Sequence, residues 1–213
     1  KTGLRKYNVS KSGERLIVDN SVANIRPYTA CAIIKGLTLN DERIREIIQI
    51  QEKLHVSYGR NRKKAAIGIY PMEKIKFPIK YLAKNAGEIK FKPLDSGKEM
   101  TGLQILSQHP TGRDYSHLLE GKKKFPIFID KTGKILSLPP IINSDETGKV
   151  TDDTKEVFIE CSGFDYNALS ICLNIVVTAL ADMGGKIYSV DIVSGGNKKV
   201  SPDLIARKMK IDI

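Results

Sequence analysis

The chain has 213 residues, of which 41% are hydrophobic and 28% charged, and its formal net charge is +11. That length can bury a real core, and the composition excludes a disordered or fibrous chain. No apolar run approaches the ~20 residues of a membrane span, and the cationic excess favours a polyanion as partner, with nucleic acid first.

Residues 1–20 read as a lead-in, basic and polar over 1–13 and ending in a short strand, ERLIVD, at 14–19. The remainder, 21–213, reads as one domain. After a turn at Arg26-Pro27, TACAIIKGL (29–37) is an apolar strand. Asn40 suits a helix cap, Asp41 and Glu42 suit a first turn, and Ile44, Ile47, Ile48 and Leu54 keep helical spacing to about Ser57. Gly59 stops that helix. AAIGIY (65–70) is a buried strand, and short strand candidates follow over 71–95, separated by Pro71, Pro78, Gly87 and Pro93.

A short helix is predicted over 99–107, limited by Pro110. FPIFID (125–130) and KILSLP (134–139) flank Lys131-Thr132-Gly133 as a hairpin. VFIECSG (157–163) is the next strand. Asp165 then caps the strongest helix, 166–183, which Gly184-Gly185 ends. KIYSVDIV (186–193) is a strand, and 208–213 is a candidate for the last one. Strands and helices alternate irregularly, with hairpins among them, which points to the α+β class.

Cys31, Cys161 and Cys172 form neither a metal pattern nor a disulfide framework, which suits a reducing cytoplasm. His55, His109 and His117 lack metal-ligand spacing, and a helix-end or packing role fits His55. Neither a glycine-rich phosphate loop nor a nucleophile elbow is present. The first residue is Lys1, so the chain reads as an excised piece.

Two features carry candidate chemistry. Along VFIECSG the two-residue period sets Phe158, Glu160 and Ser162 on one face, with Glu160 and Ser162 about 7 Å apart. A carboxylate and a hydroxyl beside an apolar wall can form a pocket for a small polar-tipped ligand. A half-exposed strand whose polar face meets water fits the same letters. Ser137 precedes Leu138-Pro139-Pro140, where the prolines hold a rigid extended course and leave nearby backbone groups for a ligand or for Asn143 and Ser144. An ordinary edge-strand exit fits equally. Basic runs at Arg60, Arg62, Lys63 and Lys64, at 122–124 and at 198–199 are candidate phosphate contacts.

The block LSLPPIINS, followed by TGKV and VFIECSG, resembles the editing domain, called B3/B4, of the archaeal and eukaryotic phenylalanyl-tRNA synthetase β subunit. IRPY (25–28), IQEKLH (50–55), AAIG (65–68) and IKFKPL (89–94) extend the resemblance from about residue 5 to the end. It implies a three-layer α+β domain with mixed and antiparallel strands, a β-sandwich-like centre and flanking helices. It implies hydrolysis of tyrosine wrongly esterified to the phenylalanine tRNA, by water and without a metal or other cofactor. ATP and magnesium belong to the full synthetase. The implied partners are that tRNA and an α subunit in an α2β2 heterotetramer, in the cytoplasm, with no membrane or DNA. The motif alignment implies catalytic roles for Ser137, Glu160 and Ser162, and a substrate-binding role for Phe128. Archaeal members carry Asp and Thr where Glu160 and Ser162 stand. Asn143 is a further substrate-binding candidate, and Arg60, Arg62, Lys63 and Lys64 would hold the RNA. The competing readings are a non-catalytic RNA-binding or bracing module, and a detached hydrolase acting in trans.

Overall fold

VFIECSG is apolar on both faces apart from its acid and hydroxyl, so both faces must be covered. In the computed structural model, which describes residues 5–205, both are. The strands are β1 (Val9–Val18), β2 (Tyr28–Lys35), β3 (Ala65–Pro71), β4 (Ile79–Asn85), β5 (Lys90–Phe91), β6 (Met100–Thr101), β7 (Lys124–Ile129), β8 (Ile135–Leu138), β9 (Ile142–Asn143), β10 (Glu156–Gly163), β11 (Lys186–Ser194) and β12 (Asn197–Ser201). The helices are α1 (Asp41–Val56), α2 (Gly102–Gln108), α3 (Pro110–Tyr115), α4 (Asp145–Gly148) and α5 (Tyr166–Asp182).

Ten strands form one mixed sheet, ordered β3-β10-β2-β11-β1-β4-β7-β8-β9, with β12 on β11, while β5 and β6 pair separately. β1 runs parallel to both neighbours, β11 and β4, and the other pairings are antiparallel. The sheet curls until its two ends meet. Leu16, Ile33, Tyr81, Phe128, Phe158 and Val190, from six different strands, share the interior. Outside, α1 and α5 pack on the opposite face of β2, β3 and β10 through Ile47, Leu54, Leu169, Cys172 and Val176. A third cluster joins α2 to β7 and β8 through Ile105, Ile127 and Leu138. The result is the expected α+β arrangement of helices around a sandwich-like, nearly closed sheet.

Local chemistry fixes several of these boundaries. The Asn40 side chain accepts from Arg43 N at 2.9 Å, and Asp165 from Ala168 N at 3.1 Å, so both expected caps hold. Gly184 follows α5 at φ +104°, a conformation that L side chains avoid.

Four features of the structure differ from the sequence expectations. Residues 9–13 are not a polar lead-in but the start of β1, hydrogen-bonded along β11. Backbone pairing suffices there, because that stretch of strand buries little. Pro110 does not merely end a helix; it opens α3, where a missing N–H costs nothing. β12 was unforeseen, and Gly195-Gly196 at positive φ turns β11 back into it. Pro139 and Pro140 do not run extended but make the turn between β8 and β9, closed by Ile141 N to Leu138 O at 2.8 Å. The strand expected over 208–213 lies outside the described residues.

Phe158 stands at the centre of the interior, stacked on Tyr70 at 6.1 Å and edge-on to Phe77 at 5.3 Å. Phe158→Ala should lower stability by about 3–5 kcal/mol in urea unfolding. A loss below about 1 kcal/mol would show that the curled sheet does not close over this ring.

Candidate functional site

The seam where β3 meets β9 has no ladder of backbone bonds. Side chains close it instead, and they surround a cavity of about 440 Å³, within the range that small-molecule sites occupy. β10 brings Glu160 into it from below, β8 brings Ser137, and β9 brings Asn143. Pro139, Pro140 and Ile141 form one wall, and α1 supplies Ile44, Ile48 and Gln51.

Glu160 is 3% exposed, so the half-exposed reading of its strand fails: β2 and β3 flank it on either side. Its Oε1 lies 3.1 Å from the Tyr70 hydroxyl, which is also 3.3 Å from Asn143 Oδ1. Its Oε2 is buried without a hydrogen-bond partner, and so is Ser137 Oγ. Burial pushes the Glu160 acid up to about 8, against smaller lowering effects of the Tyr70 hydrogen bond and the Arg26 charge. Near neutral pH the group is therefore mostly a neutral acid rather than the anion its sequence suggests.

Proton counting makes that state coherent. Tyr70 has one hydroxyl hydrogen and two acceptors in reach. With Glu160 neutral, its Oε1–H donates to Tyr70 and Tyr70 donates onward to Asn143. Oε2 is then an acceptor without a protein donor, on a residue that lines the cavity. Burial and the Glu160 charge hold the Tyr70 phenol well above its ordinary range, so it stays protonated.

Gly68 makes room for this pair. It lies opposite Glu160 on β3, and a Cβ there would overlap the Tyr70 hydroxyl and come within 2.5 Å of Glu160 Oε1. An isolated glycine in an apolar strand signals such a close approach. Tyr70 itself, the one aromatic of AAIGIY, was missed because its hydroxyl partner lies ninety residues away.

Ser162 does not line the cavity. Its hydroxyl accepts from Arg26 Nε at 3.1 Å. Arg26 is 1% exposed, and burial lowers its pKa to about 10. A buried cation must be hydrogen-bonded, and Arg26 also donates to the carbonyls of Ser162, of Arg62 at 3.0 Å and of Lys63 at 3.3 Å. Arg60, Asn61 and Arg62 consequently hold φ of +48°, +52° and +64°, a left-handed run that costs roughly 1–3 kcal/mol per residue unless surrounding bonds enforce it. The sequence showed Arg26-Pro27 only as a turn.

That loop divides the four basic candidates. Arg62 turns inward: it donates to Ile141 O at 2.8 Å, pairs with Glu52 at 3.3 Å, and lies 4.2 Å over the Tyr115 ring. Its guanidinium is thus part of the cavity wall. Lys63 and Arg60 are exposed, and Lys64 pairs with Asp165 at 2.9 Å. Phe128 stacks on Tyr81 at 4.3 Å in the sheet interior and does not line the cavity.

His55 does line it but is saturated. Its Nε2 accepts from Ile67 N at 2.9 Å and its Nδ1 meets Glu52 at 3.2 Å. Burial lowers its basicity, the Glu52 contact opposing, so it is a neutral packing residue with its proton on Nδ1.

The pH dependence of Glu160 has a definite sign. An acid raised from 4.5 to about 8 on folding binds a proton in the native state that the unfolded chain has released. Its contribution is full below pH 4.5 and is lost as pH rises through about 8, on the order of 5 kcal/mol in all. Wild-type stability should therefore fall over that window relative to Glu160→Gln, read from urea midpoints. Parallel pH profiles for the two proteins would contradict the buried acid.

The chain as a whole has known relatives. The sequence model of the B3/4 domain matches residues 35–171. The phenylalanine–tRNA ligase β subunit of Thermococcus kodakarensis is 44% identical over 211 residues, covering 99% of this chain and 37% of that protein. That of Pyrococcus horikoshii is also 44% identical over 211 residues, with 38% of its length covered. The crystal structure of an N-terminal fragment of the phenylalanyl-tRNA synthetase β subunit from P. horikoshii superposes with a TM-score of 0.93 at 46% identity. The match covers 96% of this chain and 59% of that one. The chain thus spans less than two-fifths of the length of these two curated relatives.

Proposed function

Because the chain belongs to the B3/4 domain family, we propose that it is a proofreading domain of a phenylalanine–tRNA ligase β subunit. It hydrolyses the ester of tyrosine wrongly joined to the phenylalanine tRNA. The observation that carries this reading is the pair of buried polar atoms without a protein partner, Glu160 Oε2 and Ser137 Oγ, on residues that line one largely apolar cavity. A phenol hydroxyl both donates and accepts, so it satisfies them. A phenylalanine ring would seal them from water and leave them unpaired, at about 1–3 kcal/mol for each group. Sites built to bond a substrate hydroxyl reject the analogue lacking it by factors of ~10⁴–10⁵. The correctly charged tRNA is thereby spared.

In the reaction a water oxygen bonds to the ester carbon, and the bond to the terminal ribose oxygen breaks. The ribose oxygen leaves with a proton, giving free tyrosine and an uncharged tRNA. The neighbouring ribose hydroxyl is the group that orients the water, since His55 is saturated and Glu160 faces the side-chain end. Backbone donors for the oxyanion are scarce in the Ser137–Asn143 turn. Pro139 and Pro140 have no N–H, and that of Ile141 is used. The Asn143 amide nitrogen is the better donor: its Oδ1 faces Tyr70, and among the described residues no acceptor holds the nitrogen.

The tRNA acceptor end, and an α subunit in an α2β2 assembly, are the partners this reading requires. In the competing reading, a non-catalytic brace, Glu160 would be neutralised by a lysine. Its only hydrogen-bond partner among the described residues is Tyr70, which favours the pocket.

Tyrosine should raise the melting temperature of the domain, by about 2.7 kcal/mol of stabilisation at a hundred times its dissociation constant, and phenylalanine should not. Equal effects of both would assign Glu160 to the amine common to the two. Glu160→Ala, which removes both the donor to Tyr70 and the free acceptor, should slow release of tyrosine from mischarged tRNA about 10- to 100-fold while folding normally. Undiminished hydrolysis would remove Glu160 from the site.

A further inference from the structure

A second concavity lies on the far side of the 60–64 loop. Lys63 and Lys64 form one edge, and Tyr28, Phe164 and Tyr166 form the other. Tyr28 is 46% exposed and Phe164 49%, unusual for aromatic side chains set together. Tyr28 meets Tyr166 edge-on at 6.2 Å, and Lys199 Nζ lies 3.2 Å from the Tyr166 ring. The one carboxylate lining this notch, Asp165, is already paired with Lys64 and caps α5.

The notch and the cavity share structure. Arg62 lines the cavity, and the next two residues line the notch. Glu160 in the cavity and Phe164 at the notch, one residue past the end of β10, are four residues apart, about 13 Å if extended. Buried Arg26 joins both: it holds the Arg62 and Lys63 carbonyls and lies 5.9 Å from the Phe164 ring centre. Gly163 lets the strands close up, since Phe164 N bonds Lys64 O at 3.2 Å and a Cβ at 163 would overlap that carbonyl.

We propose that the Tyr28–Phe164–Tyr166 notch is a stacking platform for unpaired RNA bases, which it holds while the terminal nucleoside delivers its ester to the cavity. The proposal rests on the proofreading reading for the identity of the terminal group. The chemistry of the platform stands on its own. Exposed rings bind base faces without regard to sequence, and adjacent lysines hold the phosphates. A chain of net charge +11 with its local acid neutralised complements RNA rather than an acidic-core protein interface. The base-stacking role belongs to Phe164 and Tyr28, and the charge role to Lys63.

The test is the affinity of the 213-residue chain for a short single-stranded RNA, by fluorescence anisotropy over a range of salt. Phe164→Ala and Tyr28→Ala should each weaken binding about 5- to 100-fold with the salt slope unchanged. Lys63→Gln should reduce the slope by about 0.7. Cross-linking of a photoreactive base to a peptide containing Phe164 or Tyr28 in the unaltered protein supports the platform even if a variant misfolds. No RNA binding by the unaltered chain, unchanged affinity in folded aromatic variants, or cross-links only elsewhere would overturn it. So would loss of α-subunit binding with RNA binding intact, which would make the notch a protein interface. Stabilisation of the unaltered protein by free tyrosine judges the cavity separately, so the two readings fail independently.

Discussion

A buried carboxyl group with one oxygen bonded and the other without a protein partner is the constraint on which the rest of this domain depends. Such a group is unfavourable in any fold, and here several features exist to hold it in place. Gly68 has no side chain, so that Tyr70 and Glu160 can meet. Asn143 receives the Tyr70 hydroxyl and so ties one end of the sheet to the other. The seam is polar and unladdered at this one place, and the cavity occupies it. A fully hydrogen-bonded closure between β3 and β9 would be more stable and would leave nothing for a ligand to satisfy.

The same economy governs the loop between α1 and β3. Arg26 is sealed from water and must find acceptors, and the carbonyls it finds belong to a left-handed turn. The turn sends Arg62 inward against Ile141 and Glu52, and Lys63 outward. One buried cation thus sets the orientation of two others. Arg26 is sealed from solvent and does not line the cavity, so it acts on the site through position and through the small lowering effect of its charge on Glu160.

Much of this fold was legible in the letters. Helix caps at Asn40 and Asp165, the hairpin around Gly133 and the two-faced strand at 157–163 all follow from local rules that need no distant partner. Glu160 was found because an acid in an apolar strand is costly, and Ser137 because it precedes the proline pair and aligns with the family motif. Other features stayed hidden because they depend on closure of the sheet. Tyr70 looks like any core aromatic until β9 arrives beside it. Ser162 looks like a twin of Glu160, yet the end of β10 lies against Arg26 and its hydroxyl is taken. Phe128, named through family resemblance, faces the interior because Tyr81 stacks on it. A basic run reads as one patch in sequence, whereas three successive positive φ angles split it between two sites.

The protonation of Glu160 in the free and bound protein is the most direct test. Carbon NMR of the labelled side-chain carboxyl should show titration near 8 in the free domain. Saturating tyrosine should change that value, because it places a hydroxyl on Oε2, while phenylalanine should leave it alone. Titration near 4.5, indifferent to both amino acids, would mean that the carboxyl is solvated and the account of selectivity is wrong.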